Sequence, residues 1–139
     1  MPFCLSVKSP VVLTKSFVTS QANKPVIYVH DASGVGISNL TVDGAGRGNS
    51  NYRFVGIGFH NAGGAVEACE IKGIEDTPFS GAQHGNGIYA YNADAAARTL
   101  SVKSCYLHDC QKNCMTLIGP NLTVNVENNV VKGIGPTGT

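Results

Sequence analysis

The sequence predicts an all-β protein, a parallel β-helix of about five short coils forming one domain over residues 1–139. Three observations predict it. Seventeen glycines and no tryptophan suit a chain of strands and turns. No apolar period of 3.6 residues persists over the length of a helix. Short segments with alternating apolar positions recur at nearly constant spacing.

The first recurring segment reads V-I-Y-V-H-D-A from Val26, G-I-G-F-H-N-A from Gly56, G-I-Y-A-Y-N-A from Gly87 and C-M-T-L-I-G-P from Cys114, at steps of 30, 31 and 27 residues. Alternation places Ile27, Ile57, Ile88 and Met115 in one inward slot, and Val29, Phe59, Ala90 and Leu117 in another. The second segment reads I-S-N-L-T-V from Ile37, V-E-A-C-E-I from Val66, V-K-S-C-Y-L from Val102 and V-E-N-N-V-V from Val126. An earlier copy, V-K-S-P-V-V, starts at Val7, so that Val7 aligns with Ile37 and Val12 with Val42. The five letters L-S-V-K-S at Leu5 and again at Leu100 suggest the same alignment. Insertions fall between these segments and leave their cores in register. An immunoglobulin-like sandwich also has many short strands, but it requires no ladder of like residues at one recurrent spacing.

The net charge of +1 and the scattering of Lys8, Lys15, Lys24, Arg47, Arg53 and Lys72 argue against a nucleic-acid partner. No apolar run approaches the roughly 20 residues of a membrane span, so no membrane association is expected. The opening residues M-P-F-C-L-S-V-K-S-P show no charged leader followed by an apolar stretch, and no signal peptide is expected from them. No motif for a cofactor is present, and none is expected.

The segments G-I-S-N-L-T-V-D-G-A-G, F-V-G-I-G-F-H-N-A-G-G-A-V-E-A-C-E-I-K-G-I and S-G-A-Q-H-G-N-G-I-Y-A-Y-N-A resemble bacterial right-handed parallel β-helix repeat proteins of the pectin-lyase-like superfamily. The resemblance runs from about Lys24 to Pro136. It implies a right-handed helix in a short version of a fold whose members are usually longer and exported. That fold carries lyases, hydrolases, epimerases and non-enzymatic fibres, so the resemblance implies architecture rather than one activity.

Three cysteines and a histidine crowd the stretch L-S-V-K-S-C-Y-L-H-D-C-Q-K-N-C. The repeat alignment puts Cys69 and Cys105 in the slot of Leu40 and Asn129, Cys110 in that of Ile74 and Ile134, and Cys114 in that of Val26, Gly56 and Gly87. A zinc centre needs four converging ligands, usually on C-x2-C hooks, whereas the spacing here is C-x4-C-x3-C. Buried, mostly reduced structural thiols are therefore expected and no metal site. Asp31, Asn61 and Asn92 stack after the first strand, where an amide ladder along the turns is expected in preference to a calcium row.

Two sets of residues are candidates for a site. On the outer face of the first strand, Tyr28, Tyr89, His30, His60 and Tyr91 form ladders of rings, a surface suited to sugar rings with hydroxyls at their edges. The alternative is solvent-facing residues of high β propensity. Two loops, residues 43–54 and 75–87, leave adjacent coils at one corner. They bring Arg47, Tyr52 and Arg53 near Glu75, Asp76, Gln83 and His84, with Lys112 close by.

A polysaccharide lyase needs a base and a group that neutralises a uronate carboxylate, roles open to Arg53, His84 and Asp76. The alternative is that Arg53, Glu75 and Asp76 pair with one another and tie down the loops. A glycosidase would need two separated carboxylates, which Glu75 and Asp76 as neighbours do not offer. The sequence favours a non-catalytic module with a carbohydrate-associated or assembly role. The alternative is a reduced lyase or related carbohydrate-active enzyme. The expected partners are a polysaccharide and further copies of the chain, joined through the sheet edges at the helix ends or else closed off there by the terminal residues.

Overall fold

A computed structural model of the protein describes residues 5–18 and 22–134. Among the described residues fourteen strands form three sheets whose members alternate along the chain. The first sheet holds β2 (Phe17–Val18), β3 (Ala22–His30), β6 (Phe54–His60), β9 (Asn86–Tyr91) and β12 (Asn113–Ile118). The second holds β4 (Val35–Ser38), β7 (Gly64–Glu67), β10 (Arg98–Lys103) and β13 (Leu122–Glu127). The third holds β1 (Leu5–Lys8), β5 (Leu40–Asp43), β8 (Glu70–Lys72), β11 (Tyr106–His108) and β14 (Val130–Lys132). Successive strands visit the sheets in turn, and every pairing except β2 with β3 is parallel. The architecture is that of a parallel β-helix, with complete rungs β3–β4–β5, β6–β7–β8, β9–β10–β11 and β12–β13–β14. Among the described residues no helix is long and apolar enough to cross a membrane.

The register matches most of the slots expected from the repeat. Ile27, Ile57, Ile88 and Met115 are stacked partners, as are Val29, Phe59, Ala90 and Leu117. In the second sheet Ile37, Val66, Val102 and Val126 stack, and in the third Val42, Ile71, Leu107 and Val131 do. Apart from Val126 and Val131, which are exposed, these columns form one continuous core along the helix axis. Burying one such aliphatic side chain contributes about 1.5–3 kcal/mol, so each rung stabilises the next through packing as well as through its main-chain bonds.

The N-terminal alignment is a correction. Val7 pairs with Val42, so L-S-V-K at Leu5 lies in the third sheet, while L-S-V-K at Leu100 lies in the second. Val12, expected inside, is exposed. Pro10 supplies no N–H for a continuing ladder, and the chain leaves the sheet after the bond from Ser9 N–H to the Asp43 carbonyl (2.8 Å). It then crosses the end of the helix. Leu13 enters the core, and its N–H donates to Asn51 Oδ1 at 2.8 Å. Buried Asn51 in turn donates to the carbonyls of Val11 (3.0 Å) and Arg47 (2.9 Å).

Every rung turns the same corner between its second and third sheets. Asn39, Ala68, Ser104 and Asn128 hold φ of 55°, 50°, 53° and 56° there. The corner bonds its own stack: Asn39 N–H donates to Glu67 O (3.1 Å), Ala68 N–H to Lys103 O (3.0 Å) and Ser104 N–H to Glu127 O (3.0 Å). The left-handed conformation swings the chain round while keeping these groups in the ladder.

Candidate functional site

Alternation along β3, β6 and β9 turns two columns of side chains outward. One contains Tyr28, Gly58, Tyr89 and Thr116, the other His30, His60, Tyr91 and Ile118. Gly58 leaves a notch in the first column. Phe17, on antiparallel β2, fills it so closely that a Cβ at Gly58 would stand 2.7 Å from the Phe17 ring. Phe17 is buried, with its ring centroid 5.4 Å from Tyr28, 5.4 Å from His60 and 5.7 Å from Tyr89. Tyr28 and Tyr89 are thus half-buried rather than fully presented to solvent. Burial, followed by the Asp31 charge, raises the pKa of the Tyr28 hydroxyl. Tyr28 also stacks on His30 (4.8 Å) and lies 3.4 Å from His60 Nδ1 through its hydroxyl. His60 and Tyr91 are parallel within 1° at 6.0 Å. His30, His60 and Tyr91 therefore remain as a row of partly exposed rings, one per rung.

The two loops do lie side by side. Gly48 N–H donates to Glu75 O (2.9 Å), Thr77 N–H to Asn49 Oδ1 (2.7 Å) and Thr77 Oγ1 to Gly46 O (2.9 Å). The Tyr52 ring packs 5.7 Å from His84, and the Arg53 guanidinium stands 5.5 Å above Tyr52. Arg47 turns away and donates to the Ser9 carbonyl. Lys112 meets the loop through its backbone, donating to Gly85 O at 3.0 Å.

Asp76 and His84 are at the bottom of the loop, 6% and 4% exposed, with His84 Nε2 3.2 Å from Asp76 Oδ1. That approach is not aligned as a hydrogen bond, and neither Asp76 Oδ1 nor His84 Nδ1 has a hydrogen-bond partner among the described residues. Asp76 Oδ2 accepts from Ser80 Oγ and from Gln111 Nε2 (3.4 Å), while Asp76 N–H donates to Gln111 Oε1 (2.9 Å). The cluster joins the loop to the following rung and offers no exposed base.

The outer face of the third sheet carries a network that the sequence reasoning did not identify. Glu70 sits between Thr41 (3.1 Å), Lys72 (3.3 Å) and His108 (3.1 Å), and His108 also contacts Asp109 at 2.7 Å. Burial alone would raise the Glu70 carboxyl, but the hydrogen bonds from His108, Lys72 and Thr41 outweigh it and hold the pKa below the usual value. The available signal was the shared slot of Thr41 and Glu70 on adjacent rungs.

In the turn row, Asn61 Oδ1 accepts from the N–H groups of Ala93 (2.7 Å) and Asp94 (3.3 Å), and Asn92 donates to the carbonyls of Ala96 (3.0 Å) and Pro120 (2.6 Å). The amides therefore bond to backbone of the same or the next turn, not to one another. Asn61 and Asn92 thus bond along the stack, as expected, and their partners are the turn carbonyls and N–H groups, which need partners first.

Cys69, Cys105, Cys110 and Cys114 are free and buried, and Cys4 lies outside the described residues. They form two pairs. Cys69 and Cys105 are rung neighbours, each donating to a carbonyl of its own corner, Glu67 O and Lys103 O (both 3.2 Å). Cys110 and Cys114 flank one turn. The hydrogen bond within each pair lowers the pKa of Cys69 and Cys114 and raises that of Cys105 and Cys110, with burial further opposing ionisation. Among the described residues no three His, Cys, Asp or Glu side chains are grouped to hold a metal ion.

Comparison of the chain with protein-family models, curated proteins and solved structures gives no match.

Proposed function

We propose that this is a non-catalytic, right-handed β-helix module of pectin-lyase-like type that binds a polysaccharide along the first sheet. Parallel strands joined by crossovers within a sheet are right-handed in about 98% of cases, which supports the handedness. The observation that carries the binding reading is the row His30–His60–Tyr91, backed by the Tyr28 ring. Such a row offers apolar faces to sugar rings and imidazole and phenol groups to their hydroxyls. The burial of Asp76 and His84 supports a binding rather than a lyase reading, because a base must reach the proton it removes.

The test is titration of the full chain with alginate, pectate and glycosaminoglycans by calorimetry, with absorbance of unsaturated products followed in parallel. Binding that falls at least about tenfold in His60→Ala and Tyr91→Ala, without product formation, is expected. Failure to bind across the panel, or binding indifferent to both substitutions, refutes the reading; unsaturated product would replace it with the lyase.

A second reading, self-association, is favoured by one observation. Val126 and Val131 of the last described rung are 44% and 50% exposed, whereas Val102 and Leu107 in the same slots one rung earlier are fully buried. Sedimentation at micromolar concentration tests it, and a monomer across the range would refute it.

A further inference from the structure

The two thiol pairs differ in one respect that matters chemically. Cys69 and Cys105 are sealed within the core between adjoining rungs. Cys110 and Cys114 instead border a cavity of about 510 Å³, shared with Phe79, Lys112, Met115 and Val131. Lys112 and Val131 are exposed, so the cavity opens to solvent.

Gly87 makes room for the Cys110 sulfur on the side of the Cys114 rung. Gly87 and Cys114 occupy the same slot on adjacent rungs, since Asn86 pairs with Asn113 and Ile88 with Met115. A Cβ at Gly87 would stand 3.0 Å from Cys110 Sγ and 2.6 Å from the Cys114 carbonyl. The missing side chain therefore provides the space in which the Cys110 sulfur lies, against the backbone of the rung that carries Cys114.

From this placement we propose that Cys110 and Cys114 form an oxidisable dithiol, reached through the cavity, that closes into a disulfide when a peroxide enters. The Cys114 thiolate, favoured by its hydrogen bond from Cys110, attacks the O–O bond of the peroxide. Its sulfur takes one oxygen as a sulfenic acid, and the other leaves as hydroxide that is protonated to water. The Cys110 sulfur then displaces the sulfenic hydroxyl. The S–S bond forms as the S–O bond breaks, and the Cys110 proton leaves with that hydroxyl as a second water. Two thiols lose two electrons in all, and one hydrogen peroxide becomes two waters. The sealed pair stays reduced because neither peroxide nor any other reagent reaches it.

The experiment uses the full chain, treated with one equivalent of hydrogen peroxide, quenched with N-ethylmaleimide under denaturing conditions and mapped by fragmentation mass spectrometry. The expected result is a Cys110–Cys114 bond with Cys69 and Cys105 alkylated. In the native, untreated protein, Cys114 should alkylate at least about tenfold faster than Cys69 and Cys105. A bond joining Cys69 to Cys105, a bond to Cys4, or four alkylated thiols overturns the proposal. In Cys110→Ser, peroxide should leave Cys114 as a sulfenic acid trapped by dimedone, and an untrapped, unmodified Cys114 in the folded variant would count against it. Should that variant not fold, mapping of the unaltered chain decides alone.

Discussion

Ala68 holds a left-handed corner that three other rungs also make, and it is an unfavourable residue for it. Its φ is 50°, against 55° at Asn39, 53° at Ser104 and 56° at Asn128. An L-residue with a Cβ is disfavoured in this conformation by about 1–2 kcal/mol, and asparagine less so because its amide bonds locally. Ala68 is exposed, so replacing it removes almost no packing. Its N–H bond to Lys103 O depends on the backbone alone. Ala68→Gly removes the Cβ clash but adds about 0.5–1 kcal/mol of unfolded-state entropy, leaving a net gain of about 0.5–1 kcal/mol. Ala68→Asn avoids most of that entropy cost and should gain about as much. For a chain of this size the gain is a rise in Tm of about 2–5 °C, readable by calorimetry and by the urea midpoint at unchanged slope. Ala65→Gly in extended β7 is the control and should lose stability. A lower Tm for Ala68→Gly, or an equal gain at Ala65, would refute the reasoning.

Asn51→Ala removes the two hydrogen bonds that hold the N-terminal crossing and a third, to Arg47 O, that positions the amide, leaving the buried Leu13 N–H without its partner. A loss of about 1–3 kcal/mol is expected, with faster amide exchange at Leu13 than at Ile71 as the local readout. The Glu75 carboxyl has its pKa raised by burial and then by Asp109, against a smaller opposing effect of His108. A raised carboxyl binds its proton more tightly in the folded state. Its contribution to stability is therefore present below the unfolded value of about 4.3 and lost as pH rises through the folded value. Glu75→Gln should accordingly raise the urea midpoint at neutral pH and leave it unchanged below about pH 4; a gain independent of pH would refute this.

The rungs were legible because an inward slot demands an apolar side chain each time the chain passes it, and Ile27, Ile57 and Ile88 or Val66 and Val102 answer that demand in kind. Register at the N-terminus was not legible from identity. L-S-V-K-S at Leu5 and at Leu100 carries an alternation that any of the three sheets accepts, and the deciding residue was Pro10, just beyond it. The corners were half legible. Asn39 and Asn128 signal a left-handed turn, but Ala68 and Ser104 are held in one by the rungs above and below, and nothing local marks them. Phe17 stayed hidden because β2 is antiparallel and belongs to no repeat, although Gly58 interrupted the aromatic column at the very place it fills.

The candidate site shows the same division between placement and depth. Loop lengths were enough to bring Tyr52, Arg53, Asp76 and His84 together, since two insertions at one corner of adjacent rungs must meet. Whether such a group is a catalyst or a clasp depends on which side faces water, and no pattern in the loops encodes that. The thiols and the valines obey the same rule. Cys69 and Cys110 are alike in sequence setting, yet one is enclosed by two rungs and the other borders a cavity. Val102 and Val126 share a slot and a residue type, and among the described residues only the first is covered by a further rung. In a stacked fold, inward direction is a property of the residue and can be read from its neighbours in sequence, whereas burial is a property of the stack. The proposed dithiol chemistry and self-association accordingly rest on core slots that solvent reaches, at Cys110, Cys114, Val126 and Val131, while the proposed ligand row rests on side chains that alternation turns outward from buried strands.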